Sequence, residues 1–432
     1  MRRIGGRSQG VRSLLARGSG HSHYATPRRR LPSRNRMNAE SSLPPVPGWR
    51  SPAVRLSLFY GVFFLVAGVL APFWPMFLDG RGFNAEQIGL LLGINLWART
   101  LAGPLAARLA DTFHNARAVI VGCSVTALIV ACALFGVTSH LAIFAISSLF
   151  YFLFSGIMPL AEAITLRATD AHRGYGRIRL WGSISFVSAA FVGGLVLQFY
   201  GRLSPDTVLW LVVITMGLVV LVTPTMPPLN PPHASPSRGA FRALMTSPPF
   251  LLMIAAAGLI HGAHAVQFGF GSLHWKAAGY PDWLIGTLWA EGSIAEILLF
   301  AFGGPLVQRL GPSRLLIIAG LLGAIRWLAF GFTTDLAVVA PIQLLHAANF
   351  GAMHLGAMLF ITRAIPPGHA NMAQSLYSGI TVGALMGGSM LLAGVLYRGD
   401  PASAYFAAAA MSIIGAGAAV WLGVTWRERA QA

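Results

Sequence analysis

The chain of 432 residues is poor in charge: only 10% of its residues are Asp, Glu, Lys or Arg, while 55% are hydrophobic. A typical soluble domain carries roughly 25% charged residues, and a soluble chain of this length cannot cover its surface with so few. Lipid fits as the solvent. Acids are scarcest, 13 against 31 Lys and Arg, and none precedes Glu40. Cysteine is nearly absent as well. Cys123 and Cys132 fall in one apolar run, where helical rise separates them by roughly 13 Å, too far for a disulfide. No redox or metal framework is expected. No Walker-type Gly-x4-Gly-Lys-Ser/Thr motif occurs, so ATP is not the obvious energy source. Nothing outside the apolar runs is long enough for a soluble catalytic or signalling domain.

What the chain has is hydrophobic length. Runs near the ~20 residues needed to cross a bilayer fall at 54–78, 86–109, 117–137, 140–166, 177–199 and 207–223. Six more follow at 250–273, 283–307, 313–333, 338–363, 371–397 and 401–426. Between the sets, 224–249 holds Pro224, Pro227, Pro228, Pro231, Pro232, Pro236, Pro248 and Pro249, which suits an extended linker. The expected architecture is an all-α membrane protein: twelve transmembrane helices in two six-helix bundles, 54–223 and 250–426. A basic arm (1–53) precedes them and a short tail (427–432) follows.

The halves repeat each other at an offset of 197 residues (82 to 279). Gly82 and Phe83 answer Gly279 and Tyr280, Ile88 and Gly89 answer Ile285 and Gly286, and Arg117 answers Arg314. In the same register Arg99 meets Glu296, Ala107 meets Gly304 and Asp111 meets Gln308. Six spans lie between the copies, so both halves cross the membrane in the same sense. That is the parallel repeat of a two-bundle transporter, with its site near the midplane.

Loop charges give the orientation. Even-numbered loops carry Arg108, Arg117, Arg167, Arg173, Arg177, Arg238, Arg242, Arg309, Arg314 and Arg363, while odd-numbered loops have only Arg81, Arg202, Lys276 and Arg398. Both termini are therefore expected in the cytoplasm of a cell (inner) membrane protein. The net charge of +18 draws heavily on the Arg- and Ser-rich residues 1–36. Their composition matches a transit peptide, an arm for anionic lipid, a solvated disordered segment, or sequence ahead of a true start at Met37. Nucleic-acid binding is not expected.

Charges inside apolar spans are costly, about 2.5–3.5 kcal/mol each on insertion scales, so each needs a partner or water. Arg99, Glu291, Glu296 and Arg326 are such charges, and they mark either a transport pathway or structural pairs. Glu291 and Glu296 lie about 140° apart around a helix. Glu296 is the stronger candidate because it occupies the repeat position of Arg99. His261 and His264 in span 7, and His346 and His354 in span 10, could carry protons near neutral pH or serve only as hydrogen-bonding groups. The end of span 4 and start of span 5 hold the densest polar text, Glu162 through Arg167, Asp170, His172 and Arg173 to Tyr175, Arg177, Arg179 and Trp181. There an arginine can turn inward and a tryptophan can stack on a ring.

These residues resemble the major facilitator superfamily. The loop Gly304-Pro-Leu-Val-Gln308-Arg309-Leu-Gly311-Pro-Ser-Arg314 resembles that superfamily's Gly-x3-Asp-Arg/Lys-x-Gly-x-Arg/Lys signature, with Gln308 in place of the acid. The loop after span 2 keeps Asp111 and Arg117 but has Ala107 and His114 at the glycine positions. The resemblance implies that Asp111, Arg117, Gly304, Arg309 and Arg314 belong to gating loops between helices that rock. Pro159 through Glu162, and Tyr175 through Ser183, resemble the phenylpropionate permease group, which is related to lactose permease and other oligosaccharide–proton symporters. Lactose permease binds its sugar through a Glu late in span 4 and an Arg early in span 5, and Glu162 and Arg179 match those places. Arg326 and His346 match its span 9 arginine and span 10 histidine. Its proton-carrying Glu is absent: Asn349 stands there, leaving Glu296 as the best remaining acid.

The expected function is therefore secondary transport by alternating access: a proton symporter importing a small organic solute, with an aromatic carboxylate leading. Glu162, Arg179, Trp181 and Arg326 are the candidate substrate residues, Glu296 and His346 the candidate proton residues. Trp97 and Phe350 are further candidate ring partners, and Arg99, His261, His264, Glu291 and Asn349 further buried polar candidates. Arg179 is expected to approach Glu296 across the bundle interface. Sugar or nucleoside symport, efflux, and a membrane-embedded enzyme remain as alternatives; the enzyme would leave the repeat unexplained. Partners are a small solute, protons and lipid; no cofactor or metal is expected, and the protein is expected to act as a monomer.

Overall fold

The computed structural model describes residues 51–168, 174–201, 204, 206–228 and 239–426. Expectations for residues 1–50, for Asp170, His172 and Arg173, for 229–238 in the linker and for the tail 427–432 fall outside the described residues. In chain order the apolar helices are α1 Pro52–Gly80, α2 Ala85–Thr112, α3 Ala116–Cys132, α4 His140–Ala168, α5 Tyr175–Tyr200 and α6 Thr207–Thr225. The second six are α7 Pro248–Ala277, α8 Asp282–Phe302, α9 Gly304–Phe332, α10 Leu336–Ala364, α11 Pro367–Gly399 and α12 Pro401–Thr425. Eleven are long and apolar enough to cross a membrane, and α3 is a shorter apolar helix.

Local chemistry sets their ends. Ser51 caps α1 ahead of Pro52, Asn84 and Gln87 form a reciprocal capping box at α2, and Asp400 caps α12 ahead of Pro401. Such side chains satisfy amides that a helix start leaves unpaired. Beyond α1 and α7 the chain turns through Gly82 (φ 82°) and Gly279 (φ 89°), a left-handed conformation that glycine adopts without steric cost. These two glycines are repeat partners, so the repeat extends to the backbone.

The helix contacts repeat as well. In the first half α1 packs on α5 and α6, α4 on α2 and α3, and α3 on α6. Adding six to each label gives the second half: α7 on α11 and α12, α10 on α8 and α9, and α9 on α12. Two large contacts join the halves, α2 with α11 and α5 with α8. The same operation exchanges them, as a two-fold relation requires.

Both inter-half contacts are tightest at the end of the bundle away from the Pro52 and Thr425 helix ends. A Cβ on Gly89 would lie 2.9 Å from Gly394 Cα, and one on Gly286 would lie 2.3 Å from the Ala190 carbonyl oxygen. Small residues permit this approach where lipid gives no hydrophobic drive. Glu86 with Arg398, and Gln198 accepting from the Asp282 amide at 3.0 Å, add polar clasps at that end. The structure is thus closed at one end, while Arg179 and Glu162, nearer the other, keep 49% and 38% of their side chains accessible.

Three helices of the second half widen into π turns: α7 at Gln267–Gly271, α10 at Ala347–Gly351 and α11 at Ser378–Leu385. The first two lie beside the polar residues described next, which fits the tendency of π turns to occur at functional sites.

Candidate functional site

On the first-half wall, Arg179 Nη1 donates to Glu162 Oε1 at 2.8 Å and to the Tyr175 hydroxyl at 3.2 Å, and Tyr175 donates to the same carboxylate at 3.3 Å. Tyr175 and Arg179 are one turn apart on α5, so both face the α4 carboxylate. Trp181 is exposed two residues beyond Arg179. The Trp97 indole is instead committed to α11, donating to the Ala384 carbonyl at 3.4 Å.

On the second-half wall, His346 Nε2 lies 3.7 Å from Glu296 Oε2, with both side chains mostly buried. Glycines bring α8 and α10 this close: a Cβ on Gly292 would lie 3.3 Å from His346 Cβ, and one on Gly351 3.4 Å from Glu296 Cγ. His346 stacks on Phe350 at 5.1 Å and 16°, and Phe350 also touches His264 and His261. His264 Nε2 lies 3.1 Å from Asn349 Oδ1, and its Nδ1 lies 3.0 Å from the Ile260 carbonyl oxygen. Glu291 makes no ion pair among the described residues.

Arg326 departs from the substrate-facing position expected for it. It is fully buried within the second half, packed on Trp327 (4.3 Å to the ring centre) and Phe330 (5.3 Å). Its guanidinium donates to Gln267 Oε1, to Gln343 Oε1 at 2.8 Å and to Asn349 Oδ1 at 3.5 Å. Gln343 in turn donates to the Leu288 carbonyl at 3.0 Å. Neutral amides replace an acid here, and the cation is occupied. The expected Arg179–Glu296 contact is also absent from the ion pairs of this state: Arg179 is paired within its own half and Glu296 within the other. The reason is geometric. Glu162 stands beside Arg179 in one half, whereas Glu296 lies across an interface drawn together at the opposite end.

In the loops, Arg117 donates to the Met226 carbonyl at 3.2 Å, and His114 Nδ1 meets the Asp111 carbonyl. Gly304 opens a helical segment broken at Gly311 (φ 74°). Gln308, standing where the signature has an acid, accepts from Arg363 at 2.7 Å. Arg309 and Arg314 make no ion pair among the described residues.

Residues 53–408 match the MFS_1 like family. The chain belongs to that family. It is 33% identical over 347 residues to the probable 3-phenylpropionic acid transporter of Escherichia coli (strain K12), covering 79% of this chain and 90% of that one. To the maltose permease of Geobacillus stearothermophilus it is 28% identical, covering 77% of this chain and 86% of that one. Among solved structures, the nucleoside transporter NupG superposes with a TM-score of 0.71 at 18% identity, covering 87% of this chain and 98% of that one. This is a multi-pass membrane transporter with the major facilitator fold, acting on a small molecule, and it is not an enzyme.

Sequence reading alone missed Tyr175 as a partner of the Glu162–Arg179 pair, and Gln267 and Gln343 as partners of Arg326. The signal for Tyr175 was available, since it lies four residues before Arg179. For the glutamines there was none: a lone amide in an apolar span gives no sign of its partner.

Proposed function

We propose that the protein is a proton-coupled symporter importing an aromatic monocarboxylate of the 3-phenylpropionate type across the cell (inner) membrane, as a monomer with both termini cytoplasmic. The observation that carries this reading is the Glu296–His346 pair at 3.7 Å, inside apolar helices of the second half. An intramembrane carboxylate beside an imidazole can hold or release a proton, and such groups mark proton paths in transporters. Trp181 and Phe350 offer ring surfaces, and the cations suit a carboxylate. The name of the Escherichia coli relative agrees with that class. Residues 224–249 act as the linker between the bundles. Asp111, Arg117, Gly304, Arg309 and Arg314 act in loops that remake their contacts as the halves rock, with Gln308 and Arg363 as the second-half latch in this state.

Uptake by purified protein in liposomes tests the reading. Labelled 3-phenylpropionate is expected to accumulate when an inward proton gradient is imposed and to stop accumulating when a protonophore collapses it. Accumulation indifferent to the gradient would remove the proton.

A neutral polyol is the second reading, favoured by the Arg179–Glu162 pair. A closed ion pair presents donors and acceptors with no net charge, which suits hydroxyl groups, and maltose and melibiose permeases are among the relatives. Uptake of a sugar or nucleoside in place of the acid would select it.

A further inference from the structure

We propose that Arg99, together with Asn95 and His261, forms the subsite that receives the carboxylate of the transported solute, in place of Arg179 or Arg326. The proposal rests on the carboxylate reading above. Arg179 is engaged by Glu162 and Tyr175, and Arg326 is enclosed by three amide oxygens. Arg99 makes no hydrogen bond or ion pair among the described residues. Its side chain is exposed in the middle of an apolar helix. A charge held at that depth without a partner is waiting for one.

Two neighbours share its condition. Asn95 is 4% exposed, and neither its Oδ1 nor its Nδ2 has a partner. Native structures leave few buried polar side chains unsatisfied. Asn95 lies four residues from Arg99, on the same face of α2. The buried Nδ1 of His261 on α7 is likewise without a partner. The helices run antiparallel, and Leu92 lies opposite Gly269, within 3.9 Å of a Cβ built there. From that contact, helical rise carries Arg99 about 10 Å down α2 and His261 about 12 Å along α7. The two residues therefore sit at the same depth, one from each half.

This arrangement suits a carboxylate. A guanidinium can grip both oxygens, the Asn95 amide supplies another donor, and His261 can donate from Nδ1 in the matching tautomer. Because the donors come from both halves, the anion would bridge α2 and α7, leaving its ring toward Phe350, which already touches His261.

Calorimetric titration of the purified full-length protein with 3-phenylpropionate and with its uncharged isostere 3-phenylpropanamide tests the assignment. Wild-type protein is expected to prefer the acid. Arg99→Gln should weaken acid binding at least about tenfold, the loss of a charged hydrogen bond, with little change for the amide. Asn95→Ala should weaken the acid several-fold. Arg179→Gln should weaken both probes alike and keep the preference. An Arg99→Gln protein with undiminished affinity for the acid would overturn the assignment alone, as would an Arg179→Gln protein that loses the preference. Wild-type protein that binds a sugar or nucleoside and no carboxylate overturns the carboxylate reading and the subsite together. Should Arg99→Gln not purify in a single dispersed form, Arg99→Lys carries the same comparison with a smaller expected loss.

Discussion

His114 and Gly311 occupy the same position of the internal repeat, and both adopt a left-handed backbone, with φ of 51° and 74°. His114 is the one non-glycine residue with positive φ among those described. The loops after α2 and α8 thus both pass through positive φ at this repeat position, with Gly311 combining it with a ψ of 171°. An L-residue in this region costs about 1–2 kcal/mol, and histidine is better tolerated there than a β-branched residue.

Substitution at this position should follow that ranking. His114→Val is expected to lower stability by about 1–2 kcal/mol. His114→Gly is expected to stay within about 1 kcal/mol of wild type, since relief of strain offsets glycine's larger entropy loss. Thermal unfolding in detergent reads both. A Val variant as stable as wild type would mean that the turn relaxes into another conformation.

The glycine contact between α5 and α8 yields a second expectation. A side chain at Gly286 meets the Ala190 backbone, which cannot swing aside, whereas Gly388 has nothing within 4 Å of its Cβ direction. Gly286→Val should therefore disfavour the state closed at this end by about 1–3 kcal/mol, the usual range for overpacking, and slow transport severalfold. Gly388→Ala should transport like wild type. Initial uptake rates in liposomes, normalised to inserted protein, separate the two. Equal rates would show that closure here does not limit the cycle.

These cases show what the sequence carried. The twelve helices and the repeat were legible because lipid demands apolar length and the two copies align without a gap. The intramembrane charges were legible for the same reason, since Arg99, Glu296 and Arg326 stand out in apolar text. Their partners were not. Whether Arg179 faces Glu162 or Glu296 depends on which end of the bundle is closed, a property of the state. That Arg326 is enclosed by Gln267, Gln343 and Asn349 depends on packing among α7, α9 and α10, where π turns shift the helical register that sequence spacing assumes. Asn95 is conspicuous only once its lack of partners is seen.

Arg179 provides a third prediction. In this state its Nη1 alone serves both Glu162 and Tyr175, a role that a lysine ammonium can partly fill. If the halves close at the other end during the cycle, the rest of the guanidinium becomes available to Glu296. Arg179→Lys is then expected to keep near wild-type stability while losing about tenfold or more in transport, because a point charge cannot replace a planar fork. Melting temperature and uptake rate measured on the same preparation decide this. Wild-type transport by the lysine variant would show that the fork is not used.

The fourth prediction concerns coupling and turns on Glu296. A carboxylate 3.7 Å from His346 can share one proton with it, and the neutral amide of glutamine imitates the protonated acid. Glu296→Gln should therefore abolish accumulation of substrate against its gradient while leaving exchange across the membrane measurable, since exchange needs binding and rocking but no net proton movement. Loss of both activities would indicate a structural role, so counterflow is the measurement that separates the two. His346 is the competing carrier. If it bears the transported proton, His346→Asn is the uncoupled variant, and Glu296→Gln still concentrates substrate. If the pair acts as one unit, each single variant is uncoupled, and the double variant transports no worse than either, because the second substitution removes a partner whose function is already gone.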